Sequence, residues 1–232
     1  MTHRRTAVIT GASAGFGRAL SRALVQRGWR VIGTARRADR LEQVHAELGA
    51  AFLAVPGDIT DPEHRARLAA IARDTGSLDL VVNNASRLGP SPLPRLADYP
   101  LDELERVYRT NVIAPLAVLQ RVLPVLAPDG VVVNISSDAG VEPYPQWGGY
   151  GSSKAALDQL TAILGAEHPD LSIYAFDPGD MRTEMHQAAF PDEDISDRPE
   201  PETVVPALLR LIEERPKNAR YTAADFATRI MR

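Results

Sequence analysis

The feature that most constrains this chain is a sustained alternation of short apolar runs with longer amphipathic segments. Runs at 6–10, 30–34, 51–55, 78–82, 130–136 and 172–176 read as strands. Several are nearly continuous Val, Ile, Leu and Ala, which suits strands covered on both faces. Helical patterns fill 15–27, 39–48, 62–74, 101–126, 149–167 and 201–214, with Pro115 and Pro124 expected to kink or shorten the fourth. Alternation of this kind predicts an α/β fold, a doubly wound parallel sheet of six to seven strands with helices on both faces. A chain of 232 residues has room for one such unit, so residues 1–232 are expected to form a single domain.

Composition narrows the function. A formal charge of −4 argues against nucleic acid as a partner, because binding phosphates needs a basic face. No apolar stretch approaches the roughly 18 residues of a membrane span, so no membrane partner is expected. The start, Met1-Thr2-His3-Arg4-Arg5, lacks the features of a signal peptide, and a cytoplasmic protein is expected. Cysteine is absent, which excludes disulfides, thiolate metal sites and a cysteine nucleophile. The histidines show no metal-ligand spacing, and no metal is expected. His45, His64 and His168 stand in charged helical contexts and read as solvated surface residues.

Two segments break the rhythm. A proline-rich stretch, 86–100, follows the fourth strand, and a polar stretch, 180–198, follows the sixth. Long loops at strand C-terminal ends are where open α/β sheets bind ligands, though either could also be a plain surface connection. The second is read as a substrate lid.

The first strand runs into Thr10-Gly11-Ala12-Ser13-Ala14-Gly15-Phe16-Gly17, where a helix pattern begins. Glycines let a backbone turn tightly against a pyrophosphate, whose charge the N–H groups and dipole of a helix start stabilise. By itself such a turn could be an ordinary strand-to-helix connection. Its position, opening a series of βα units, favours dinucleotide binding.

From here the sequence resembles the short-chain dehydrogenases/reductases, whose fold is a Rossmann-type sheet. Gly11-x-x-x-Gly15-x-Gly17 is similar to that family's cofactor turn. The likeness continues in order through Asp58-Ile59 after strand three and Asn83-Asn84-Ala85-Ser86 after strand four, where Ser86 replaces the family's glycine. It goes on through Asn111, Ser137, Tyr150-x-x-x-Lys154 and Asp177-Pro178-Gly179. The resemblance implies a cofactor site of Gly11, Ser13, Ala14, Gly15, Phe16, Gly17, Asp58, Ile59, Asn84, Ala85 and Ser86. Tyr150, Lys154, Pro178, Gly179, Met181 and Thr183 complete it.

Tyr150 and Lys154, four apart, share one face of a helix. That spacing also fits an ordinary surface pair. Read functionally, the ammonium lowers the phenol pKa and makes it a usable acid/base near neutrality. The resemblance implies that Ser137, rather than Ser136, hydrogen-bonds a carbonyl oxygen beside Tyr150. It further implies that Lys154 binds the nicotinamide ribose and that Asn111 holds a water feeding protons to Lys154. Asn111 could instead only satisfy backbone inside a helix. Stretches 86–94, 138–147 and 181–190 are expected to surround the substrate. Asp138, Tyr144, Trp147, Met185 and His186 are the candidate contacts, with Ser137 and Tyr150, and Phe190 adds to an apolar pocket.

The cofactor expected is NADP(H). Strand two ends Val31-Ile32-Gly33-Thr34-Ala35-Arg36-Arg37, with no acid for ribose hydroxyls and with Arg36 and Arg37 available for a 2′-phosphate. The nearest acid, Asp39, lies beyond the strand end. The activity expected is hydride transfer between nicotinamide and the carbonyl or alcohol of a small organic substrate. Alternatives are an epimerase or other non-redox enzyme that retains the cofactor, and a non-catalytic NADP-sensing protein. Apolar residues on helices 101–126 and 149–167, including Leu157, Leu160, Ile163 and Leu164, suit a homodimer or homotetramer unless sheet packing consumes them.

Overall fold

A computed structural model describes residues 4–227; His3, and the part of the N-terminal reading that rests on residues 1–3, lie outside them. Seven strands form one parallel sheet: β1 (Thr6–Thr10), β2 (Arg30–Ala35), β3 (Phe52–Pro56), β4 (Leu78–Asn83), β5 (Leu126–Ile135), β6 (Ser172–Asp177) and β7 (Arg220–Thr222). Their spatial order is β3-β2-β1-β4-β5-β6-β7. The order runs outward in both directions from the β1–β4 pair, which makes the sheet doubly wound and opens a crevice where those two strands end. Six strands match the runs read from the sequence, with ends displaced by up to four residues. The seventh is a three-residue edge strand, too short to show a pattern.

One face of the sheet is covered by α1 (Gly15–Gln26), α2 (Ala38–Leu48) and α8 (Pro201–Glu214). There Leu20, Leu24, Leu41 and Leu208 pack on Ala7, Ile9, Val31, Val133 and Phe176. On the other face α3 (Pro62–Asp74) and α5 (Ala114–Val122) bring Leu68, Val118 and Leu119 onto Val8, Ile32, Val81 and Val132. Alternate residues of each strand thus feed opposite cores, which is why the strands are apolar almost without break. Also present are α4 (Leu101–Tyr108), α6 (Gly148–Glu167) and α7 (Glu184–Ala189), a short helix within the 180–198 stretch. Among the described residues no helix is long and apolar enough to cross a membrane.

The helix expected over 101–126 is divided, and its prolines explain the division. Pro115 has no N–H to give the carbonyl of Asn111 four residues back. The helix accordingly widens into a π turn over Arg109–Ile113 before α5 begins. Pro124 sits in a 3₁₀ turn, Leu123–Val125, that leads directly into β5.

His64 corrects the surface reading. It is buried on α3, with Nε2 2.7 Å from the Thr34 hydroxyl. Gly57 makes the space, since a Cβ there would stand 2.1 Å from the ring. Burial lowers the His64 pKa, assisted by the Arg67 charge. His45 is half-buried, its Nδ1 2.7 Å from the Phe52 carbonyl, and His168 is half-buried as well.

Candidate active site

The C-terminal ends of the strands line one cleft of about 810 Å³, within the size range of ligand pockets. Its floor begins at the β1–α1 turn. Gly11 has φ +69°, and a Cβ on it would stand 2.7 Å from the Asn84 amide. A Cβ on Gly17 would come within 2.4 Å of the Gly11 carbonyl, so Gly17 serves the packing of the turn and does not line the cleft. Asn84 Nδ2 donates to the Thr10 and Gly11 carbonyls, at 3.0 and 3.2 Å, and the Thr10 hydroxyl accepts from the Asn84 and Ala85 N–H groups. These bonds tie the turns after β1 and β4 together. No side chain caps α1 and no acid stands in its first turn, which leaves helix-start donors suited to an anion.

The cleft lies between Gly11, Ser13, Ala14, Gly15 and Phe16 on one side and Pro178, Gly179, Met181 and Thr183 on the other. Thr183 arches over Gly15, where a Cβ would stand 3.4 Å from its methyl group. Asp58, Ile59, Arg36 and Arg37 line the far end. Burial raises the Asp58 pKa, but hydrogen bonds from Thr60 and the Arg36 charge outweigh it and leave the carboxyl low. Arg37 pairs with Glu184 on α7 at 2.9 Å, and Arg40 pairs with the same carboxylate. Glu184 was not among the candidates read from the sequence. A glycine-floored trough, an uncapped helix start and a terminal arginine fit a dinucleotide carrying a third phosphate.

At the other end Ser137, Tyr150 and Lys154 converge. Tyr150 and Lys154 are buried on α6, and the ammonium lies 5.4 Å from the phenol ring centre, donating to the Ile135 carbonyl at 2.6 Å. Burial raises the Tyr150 pKa, against opposing hydrogen bonds from Ser137 and Ser86. This corrects the expectation of a lowered phenol pKa: four-residue spacing gives proximity, whereas burial governs the ionisation. The same burial brings Lys154 down to about 8, with Asp158 and Asp177 opposing it. Ser137 hydrogen-bonds the Tyr150 phenol, whereas Ser136 lies against Asp158. The Ser137 hydroxyl lies 3.0 Å from Asp138 Oδ1.

Asn111 is buried and does not line the cleft. Its Oδ1 accepts from the Arg87 N–H at 2.8 Å and the Ser86 hydroxyl at 3.2 Å; its Nδ2 donates to the Arg87 carbonyl and Ser153 Oγ, both at 2.9 Å. The side chain is fully used in joining the loop after β4 to α6. The main-chain carbonyl of Asn111 is left without an α-helical donor by Pro115. Behind it, Asn83 donates to Asn134 and Asn134 to Thr161, both at 2.8 Å, fixing the ends of β4 and β5 against α6.

Trp147, Met185, Ala188 and Ala189 pack around Leu88, Leu93, Ala139 and Tyr150 to form an apolar wall. Asp138, Trp147, Met185 and His186 line the cleft. Tyr144 does not; it is exposed, with its hydroxyl 3.0 Å from Asp138 Oδ2. Phe190 stands behind the wall, 5.8 Å from Trp147 and 5.0 Å from His186 between ring centres.

Comparison with known proteins agrees with this geometry. The family model described as short chain dehydrogenase matches residues 5–194. The chain is 40% identical over 185 residues to serine 3-dehydrogenase of Agrobacterium fabrum, covering 78% of this chain and 73% of that protein. It superposes on a short-chain dehydrogenase of Shigella flexneri solved with NADP, at TM-score 0.89 and 28% identity, covering 95% and 97% of the two chains. A short-chain dehydrogenase of Escherichia coli solved with NADPH gives TM-score 0.87 and 30% identity, covering 94% and 96%. Fold, cleft and likeness together make this chain a member of the short-chain dehydrogenase/reductase family of oxidoreductases.

Proposed function

We propose that the protein is an NADP(H)-dependent oxidoreductase that interconverts a carbonyl and an alcohol on a small organic substrate, with Ser137, Tyr150, Lys154 and Asn111 as its working set. The observation that carries this reading is the convergence of a protonated phenol, a serine hydroxyl and a buried ammonium at one end of a cleft whose other end is a glycine turn and Arg36. When bound, the nicotinamide supplies or accepts the hydride. Ser137 and Tyr150 hydrogen-bond the substrate oxygen, and Tyr150 releases its proton as negative charge develops there, a stabilisation greatest in the transition state. The raised phenol pKa keeps that proton in place at neutral pH, the state that reduction requires. Lys154 below about pH 8 contributes a positive charge beside the phenolate being formed.

The wall of Trp147, Met185 and Leu88 favours a substrate with an apolar or aromatic body, held against Asp138 and His186 as its polar contacts. One domain holds cofactor and substrate, the 180–198 segment closes over both, and the protein works in the cytoplasm as a homodimer or homotetramer. Ile113 and Ile163, 55% and 43% exposed, support self-association. Leu157 is buried and Leu164 packs on the sheet core, so the sheet consumes part of the stripe.

The test is oxidation of NADPH, with NADH in parallel, against a panel of aliphatic and aromatic ketones and aldehydes. Turnover with NADPH, fastest on aryl ketones and slower with NADH, is expected. Equal kcat/KM for the two cofactors would overturn the NADP(H) assignment. Bound NADPH that no carbonyl oxidises would overturn the reaction.

A further inference from the structure

Arg220 lies on the edge strand β7, beyond the residues 5–194 that the family model matches. Its backbone pairs with Ala175 of β6, and its side chain turns back beneath the catalytic end of the cleft. Nη2 donates to the Ser137 carbonyl at 3.1 Å and to Asp177 Oδ2 at 2.8 Å, while Nε donates to Asp158 Oδ2 at 3.1 Å. The other oxygen of Asp177 accepts from the Gly179 N–H at 2.9 Å. Asp158 is one turn beyond Lys154 on α6. One guanidinium thus touches the chain at Ser137, holds the carboxylate that sets the Pro178–Gly179 turn, and holds the carboxylate next to Lys154.

We propose that Arg220 is a positioning residue for the catalytic centre, fixing Ser137, the Pro178–Gly179 turn and the charge around Lys154 through a single fork of hydrogen bonds. The inference rests on the reaction proposed above for these residues. An arginine suits the task because its donors leave a rigid plane in several directions, whereas a lysine is a single mobile point charge. The charges that act on Lys154 are Asp158 on α6 and Asp177 on β6, both bonded by Arg220 on β7, and the Tyr150 phenol lies beside it on α6. Burial raises the Asp158 pKa, and the Ser136 hydroxyl and Arg220 pull against it.

The sign of the charge provides the test. Removing a cation raises the pKa of every neighbouring group and removing an anion lowers it, whichever group is titrating. In Arg220→Met the pH limb of kcat/KM should therefore move up, and in Asp158→Asn it should move down. Arg220→Met should also lose about 10- to 100-fold in kcat, the cost of a small misplacement at a reacting centre, with the KM for NADPH changed far less. Arg220→Lys should keep the limb near its original pH and recover only part of kcat; it serves equally well should the methionine variant not fold. Hydrogen exchange supplies a readout independent of turnover: residues 136–140 and 177–181 should exchange faster in Arg220→Met than in the unmodified protein. Limbs that move in the same direction, or exchange and kcat both unchanged in a folded Arg220→Met, would overturn the positioning role while leaving the reaction intact. If the unmodified protein turns over no carbonyl, the reaction has failed, and the exchange arm still decides Arg220.

Discussion

The two ends of the cleft are built on opposite principles. At the catalytic end, Tyr150 and Lys154 are buried, and Asn111, Asn83, Asn134 and Arg220 tie the surrounding main chain together through hydrogen bonds between fixed partners. At the far end, proposed to take the adenosine, Arg36 and Arg37 stand exposed on the loop after β2, and Arg37 pairs directly with Glu184 at the surface. Buried, mutually satisfied polar groups hold geometry closely, whereas exposed ion pairs contribute little individually and are screened by salt. The contrast suits the two tasks. Proton delivery depends on sub-ångström placement, whereas choosing between NADP(H) and NAD(H) needs only positive charge within reach.

Loss of one atom at the rigid end should cost most. Tyr150→Phe removes the hydroxyl and leaves the buried ring, so fold and NADPH binding should survive while kcat falls about 10²- to 10⁴-fold; near-original kcat in the folded variant would dissolve the contrast. The pH dependence belongs to the same end. Below about pH 8 the Lys154 ammonium is charged, and above it the charge is lost, so kcat for carbonyl reduction should fall as the pH rises through that value. A flat profile from pH 6 to 10 would separate Lys154 from the chemistry.

Changes at the exposed end should be smaller and sensitive to salt. Arg36→Ala should weaken NADPH about tenfold, as for one charge-assisted hydrogen bond, leave NADH nearly unchanged, and lose its effect as salt is raised. Equal weakening of both cofactors, read by fluorescence titration, would remove Arg36 from phosphate recognition. Glu184→Gln should have the smallest effect. Freeing Arg37 and Arg40 from their shared carboxylate should tighten NADPH about two- to fivefold at low salt, the worth of an exposed pair. Weaker NADPH binding would mean instead that Glu184 holds the lid over the cofactor. Sedimentation at micromolar concentration bears on the proposed assembly: a dimer or tetramer is expected, and a 25 kDa species alone would reject it.

Much of this contrast could be read from the residues. Strands 1 to 6 are visible because burial, on both faces for the central ones, makes most of their positions apolar. The turn at Gly11 is visible because no side chain fits against Asn84. Tyr150 and Lys154 are visible because helical spacing puts them on one face. What stayed hidden depends on tertiary neighbours. His64 looks like a surface residue among charges, and only the missing side chain of Gly57 and the hydroxyl of Thr34 give it a buried place. The phenol pKa runs opposite to the expectation because spacing carries no information on burial. Arg220 left no signal at all: a three-residue strand has no period, and its partners lie 43 to 83 residues away along the chain. The pairing of Arg37 with Glu184 likewise requires the fold to bring together residues 147 apart.

The central claim is that the catalytic end passes a hydride between NADPH and a carbonyl carbon under proton delivery from Tyr150. The most direct measurement uses NADPH deuterated at C4 of the nicotinamide, in separate samples for its two faces, with the best ketone from the panel and product analysis by mass spectrometry and NMR. The account predicts one deuterium on the carbinol carbon from one of the two labelled faces, one NADPH consumed per alcohol formed, and near-complete loss of both in Tyr150→Phe. Alcohol formed without deuterium from either face, or label transfer undiminished in Tyr150→Phe, would contradict it.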